Sequence, residues 1–291
     1  MDERLKFETD AKSLNVMIIV QSFLVELVFF VISAILIGMK LDEDFAMLFT
    51  SLIASCVVTY YIIKHYQKKF ALKLSYKTVA DFNIYTYLKF AVMALGISWL
   101  TSTVISYITD ILSKIIIFET PDFSAKYNLA TNIILCIHTI IVAPITEELL
   151  FRGIILTKLK RYEKNYAIII VSILFGILHG NLSQAVPAFM MSLFLCQVTL
   201  KSNSMIPAIS IHMINNAFAQ LSDINNTYFQ ILLDVIIVVI IIAAIILAIK
   251  EYKVKKRHKI EYKIIDYFKN WAGMMILIFS VLSILASIKI I

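Results

Sequence analysis

Glycine and proline are scarce in this chain, at six and four of 291 residues. That leaves little material for flexible linkers, and one integral domain over residues 1–291 is expected. Charge is scarce as well. Only 16% of residues are charged and 60% are hydrophobic, whereas a soluble domain has about 25% and about 45–50%. An ordinary soluble fold is excluded, and an all-α polytopic membrane protein in a lipid bilayer is expected. The three cysteines, Cys56, Cys136 and Cys196, are far apart, lie inside apolar runs and form no CxxC. They exclude a disulfide framework and read as small buried hydrophobes. The net charge of +7 does not point to nucleic acid, because the basic residues cluster in short loops between apolar runs, as the positive-inside rule requires.

Those runs predict eight transmembrane helices. They are Leu14 to Met39, Phe45 to Ile63, Ile84 to Ile108, Leu129 to about Thr157, Tyr166 to His179, Ala185 to Leu200, Met205 to Leu221 and Tyr228 to Ile249. Met274 to Ile291 reads as a ninth span or a membrane-surface helix. Residues 1–13 are polar. The first run is too long for a signal-peptide core, no small-residue cleavage site follows it, and it is expected to be retained. The fifth to seventh runs are short and interrupted by polar residues, which suits a bundle interior. If the spans alternate, basic loops at 64–77, 158–164, 201 and 250–263 share one side. Neutral or acidic loops at 40–44, 110–126, 181–184 and 222–227 share the other. The N-terminus and the basic loops are then cytoplasmic, in what reads as a bacterial plasma membrane.

One stretch departs from the apolar pattern. Ala143-Pro144-Ile145-Thr146-Glu147-Glu148-Leu149-Leu150-Phe151-Arg152 places two carboxylates and an arginine between apolar runs. Charges at such a depth face a cavity or a partner and usually serve a function. On a helix, Glu148 and Arg152 are i and i+4 neighbours with the acid N-terminal, the better orientation for a pair. Glu147 has no such partner. It is left as the free carboxylate, and desolvation favours a proton on it, which suits a general base near neutral pH. Pro144 is expected to loosen the helix and free a carbonyl.

Three more polar groups sit inside runs: His179, and His212 with Asn216 at i and i+4 on one helix face. Glu147, His179 and His212 lie eleven, fifteen and eleven residues from Lys158, Lys164 and Lys201. At the helical rise these are depths of roughly 16, 22 and 16 Å. Three helices thus bring a carboxylate and two imidazoles to similar levels. His138, nine residues before Glu147, falls about half an α-turn away and is left out. Two chemistries fit. In one, Glu147 and His179 activate a water, and His212 and Asn216 donate to the developing oxyanion. In the other, Glu147, His179 and His212 bind a zinc ion that activates the water. The metal-free, cofactor-free reading is preferred, because no His-Glu-x-x-His is present and zinc would leave Asn216 without a role.

Glu147-Glu148-x-x-x-Arg152, Phe175-x-x-x-His179 and His212-x-x-x-Asn216, in that order and on separate helices, resemble the three motifs of the CPBP family. These are the CAAX proteases and bacteriocin-processing enzymes, also called the Abi or type II CAAX prenyl endopeptidase family. The resemblance covers roughly Ile133 to Leu221, inside a motif-bearing core of about 129–222. It implies a glutamate-dependent intramembrane protease with an eight-helix core. The catalytic glutamate would be Glu147, its paired histidine His179, the oxyanion-stabilising residues His212 and Asn216, and the second glutamate and motif arginine Glu148 and Arg152. The implied substrates are peptides or lipidated protein tails, with processing of a bacteriocin or pheromone, or self-immunity, as the expected role. A non-catalytic scaffold or immunity protein that binds partner membrane proteins is the alternative.

Overall fold

The computed structural model of the chain describes residues 2–118, 127–251 and 262–290. Parts of two loops discussed above, 119–126 and 252–261, lie outside the described residues. Helices dominate. They are α1 (Glu3–Gly38), α2 (Glu43–Phe70), α3 (Ile84–Leu112), α4 (Leu129–Leu159), α5 (Lys164–Ile177), α6 (Leu182–Ser202), α7 (Ile206–Ser222), α8 (Thr227–Glu251), α9 (Ile264–Phe268) and α10 (Trp271–Ala286). Two short strands, β1 (Ile116–Phe118) and β2 (Ile288–Ile290), pair antiparallel with Ile116 opposite Ile290. The protein is an all-α polytopic membrane protein.

All eight expected spans are helices, but only six helices are long and apolar enough to cross a membrane: α1, α2, α3, α4, α6 and α8. Helices α5 and α7 have 14 and 17 residues, short of the ~20 that a bilayer core requires. The last apolar segment is helical from Trp271 to Ala286 and then extended.

The N-terminal segment corrects the sequence reading. The first helix begins at Glu3, capped by the Asp2 side chain, and residues 3–13 are part of it. Phe7, Ala11, Leu14 and Ile18 are all buried. That i, i+4, i+7, i+11 spacing is an amphipathic stripe, masked in the sequence by the charged residues between. Asp10 is buried too. Its carboxylate accepts from the Tyr162 hydroxyl and pairs with Lys158 Nζ at 2.7 Å. Burial, with the Asp10 hydrogen bond second, pushes the Tyr162 phenol above its ordinary range.

Helix α6 is the inner member of the bundle. It packs on α3, α5 and α7, and half of its apolar window is buried, the largest share among the six long helices. Two glycines permit close approach to neighbouring helices. A Cβ on Gly176 of α5 would lie 2.7 Å from the Ala185 carbonyl, and one on Gly96 of α3 would lie 2.7 Å from the Ile240 carbonyl of α8. The cysteines depart from expectation: Cys196 is buried, whereas Cys56 and Cys136 face outward from the bundle. Outward-facing apolar side chains are normal where lipid is the solvent. Glu26 and Asp234 also face outward, and neither lines the cavity described below.

Helix α4 is not a uniform α-helix. It runs α over Leu129–Cys136, π over Ile137–Val142, α over Ala143–Glu148, π over Leu149–Leu156 and α again over Thr157–Leu159. The π turns bond i to i+5, as Ala143 N–H does to the His138 carbonyl. Segments of this kind often mark functional sites.

Candidate active site

The α-helical interval Ala143–Glu148, between the two π segments, presents both glutamates. Glu148 is fully buried, and its Oε1 accepts from Arg152 Nη1 at 2.8 Å. Arg152 is equally buried. Its Nη2 donates to Ser192 Oγ of α6 at 2.8 Å, and its guanidinium lies 4.6 Å from the Phe175 ring centre. The i, i+4 pair expected from the sequence is therefore formed, with a hydroxyl and an aromatic face completing the cation's surroundings. A charge-assisted bond of this geometry is what permits such groups to be buried. Ser192 gave no sequence signal beyond being a hydroxyl in an apolar helix.

The same Glu148 Oε1 also receives His212 Nδ1 of α7 at 3.0 Å. A carboxylate can only accept, so Nδ1 carries the proton and the His212 ring is fixed in orientation. Its Nε2 then faces Glu147, 3.9 Å from Oε2. Glu147 is not enclosed. Its side chain is 37% exposed, and it lines a cavity of about 260 Å³ together with Gln21, Ser22, Thr146, Phe175 and His179. His179 Nδ1 lies 2.7 Å from the Phe175 carbonyl, one turn back on α5. A carbonyl only accepts, so Nδ1 donates and the basic lone pair is left on Nε2. Phe175 spaces the two imidazoles, edge to face with His179 at 5.1 Å and with His212 at 5.7 Å.

Asn216, one turn beyond His212 on α7, donates its amide to the Thr139 carbonyl of α4 at 2.8 Å. The reason lies in the π register. Thr139 would take its i+5 bond from residue 144, which is proline and has no N–H. The carbonyl that Pro144 frees is the one Asn216 satisfies.

The π register also moves His138. Nine residues make about two and a half α-turns, but i to i+5 bonding puts more residues in each turn and rotates His138 toward the face of Glu147. It interacts electrostatically with Glu147, and its Nε2 shares a 3.4 Å hydrogen bond with Ser55 Oγ of α2. The α-helical azimuth that left it out does not apply here.

Thus Glu147 and His179 share one cavity, His212 joins Glu147 to the buried Glu148–Arg152 pair, and Asn216 holds the π turn beside them. In a comparison with protein families, residues 129–218 match the Type II CAAX prenyl endopeptidase Rce1-like model. No curated protein and no solved structure matches the chain. The matched segment runs from the first turn of α4 through Asn216 and contains every residue named above except Gln21 and Ser22 of α1 and Ser55 of α2. Over residues 129–218 the chain is similar to the Rce1-like type II CAAX prenyl endopeptidases, and the protein is a CAAX-protease-like intramembrane peptidase, a hydrolase.

Proposed function

We propose that the enzyme cleaves peptides or membrane-proximal tails with a water activated by Glu147 and His179. The observation that carries this reading is the shared cavity. It offers two proton acceptors, the Glu147 carboxylate and, given the Phe175 contact, His179 Nε2. A water held between them gives a proton to Glu147 as it attacks the peptide carbonyl, and Glu147 then passes that proton to the leaving amine. His212, held through Nδ1 by Glu148, donates to the oxyanion from Nε2 when that nitrogen also carries a proton, and Asn216 supplies its second amide N–H. Arg152 and Glu148 neutralise each other and hold His212 in place.

The metal-free form is proposed. It gives Asn216 a part at the oxyanion, which the zinc alternative does not. The proposed location is a bacterial plasma membrane with the N-terminus cytoplasmic, and the proposed role is bacteriocin- or pheromone-type peptide processing, or self-immunity. A scaffold that binds partner membrane proteins is the outcome to be tested against.

The test compares wild type with Glu147→Gln in the native cell, by mass spectrometry of small secreted and membrane-associated peptides. A processed peptide should disappear in the variant, with a rate loss of about 10²- to 10⁴-fold for a missing general base. Because Glu147 faces an open cavity, the variant should accumulate normally and unfold within about 0.5 kcal/mol of wild type. Unchanged peptides, together with a phenotype in the full deletion, would select the scaffold.

A further inference from the structure

Asn216 belongs to a longer hydrogen-bonded chain that crosses three helices. Trp99 Nε1 of α3 donates to Asn215 Oδ1 of α7 at 3.1 Å. Asn215 Nδ2 donates to Asn216 Oδ1 at 3.2 Å. Asn216 Nδ2 donates to the Thr139 carbonyl of α4 at 2.8 Å. An amide side chain can ordinarily turn over and exchange its oxygen and nitrogen, but this chain has no freedom to do so. An indole nitrogen can only donate and a backbone carbonyl can only accept. With a pure donor at one end and a pure acceptor at the other, both asparagines are forced into a single orientation. The Trp99 ring is itself packed against Phe218, with centroids 4.9 Å apart. The acceptor end exists because Pro144 leaves Thr139 without its helical donor. Among the described residues, the second N–H of Asn216 has no other acceptor.

We infer that Trp99 and Asn215 are positioning residues which lock the Asn216 amide with its spare N–H available to the reaction. The inference rests on the proposed oxyanion role of Asn216. Trp99 lies outside the matched family segment and 117 residues from Asn216 in sequence, so no motif could indicate it. Adjacent Asn215 and Asn216 on α7 were the visible half of the signal.

The test uses the full chain in detergent micelles. The probe is a quenched fluorogenic peptide ending in a farnesylated Cys-aliphatic-aliphatic-Xaa tail. Trp99→Phe keeps an aromatic ring beside Phe218 and removes the donor. It should lower kcat about tenfold, as expected for one lost hydrogen bond, and leave KM unchanged. In an Asn216→Ala background, itself down about 10²- to 10³-fold, the same substitution should do nothing further. Asn215→Asp offers Asn216 Oδ1 an acceptor in place of a donor. Its activity relative to wild type should rise as the pH falls, because a protonated carboxyl can donate again; the side chains bonded to it, Trp99 and Asn216, do not titrate. Equal losses from Trp99→Phe in both backgrounds, or no loss in either, would overturn the inference.

A second arm needs no activity. The chain has two tryptophans, so Trp271→Phe isolates the Trp99 indole N–H resonance. Asn216→Ala should move it through the shared chain, and an unmoved resonance overturns the inference. If wild type and Glu147→Gln handle the peptide alike, it is the protease reading that fails, and this arm still decides the hydrogen-bond chain.

Discussion

Arg152 and Lys158 lie six residues apart on α4. Both are buried and both are neutralised by a carboxylate, but they reach their partners differently. Arg152 finds Glu148 one turn back on its own helix, and neither side chain touches solvent. Lys158 finds Asp10 on α1, 148 residues away in sequence, and the pair keeps 8% and 12% of its side-chain surface. The first pair is local and dry, and it organises the candidate site, where Glu148 also holds His212. The second is long-range and slightly wet. It fastens the N-terminal helix to the end of α4, with Lys158 resting 4.6 Å from the Phe70 ring centre. The enclosed pair has the larger effect to lose, because an orphaned charge there has no route to water.

Substitutions sharpen that contrast. Arg152→Ala leaves Glu148 buried without its cation and should cost about 3–5 kcal/mol, enough to abolish the folded protein in a thermal-unfolding assay. Asp10→Asn removes the charge from the other pair. Lys158 can turn toward solvent, so the loss should be about 1–3 kcal/mol, and cleavage per folded molecule should be unchanged. Equal losses at the two sites would break the comparison.

Tyr162→Phe is the smallest change, at about 0.5–1.5 kcal/mol for one hydrogen bond, and it carries a pH signature. The folded phenol titrates above its unfolded value of about 10. Its contribution is therefore complete below about pH 10 and is lost as the pH rises through the folded value. The gap in unfolding temperature between wild type and variant should be constant from pH 6 to 9 and narrow above pH 10. A constant gap at high pH would show that the hydroxyl does not ionise in the unfolded chain before it does in the folded one.

The same contrast explains what was legible in the sequence. Glu148 and Arg152, and His212 and Asn216, are i, i+4 pairs, and helical periodicity alone puts them together. The apolar runs located all eight helices to within a few residues at most ends. Three things were hidden. Residues 3–13 looked polar because Lys6, Glu8 and Lys12 surround the buried Phe7 and Ala11. Partners such as Asp10 for Lys158, Ser192 for Arg152 and Trp99 for Asn215 come from tertiary packing, which no local pattern encodes. The π turns of α4 have no residue signature except Pro144, and they changed the facing of His138.

Those π turns have a consequence for insertions and deletions. A turn that bonds to the fifth residue holds one residue more than a turn that bonds to the fourth. In effect the Ile137–Val142 segment is a helix with an amino acid spliced in. Deleting one residue there would restore ordinary bonding and swing everything before it by about 100° relative to Glu147. Thr139 would leave Asn216 and His138 would turn away. A change that elsewhere in α4 would break the helix would here make it more regular, and would dismantle the site by repairing it.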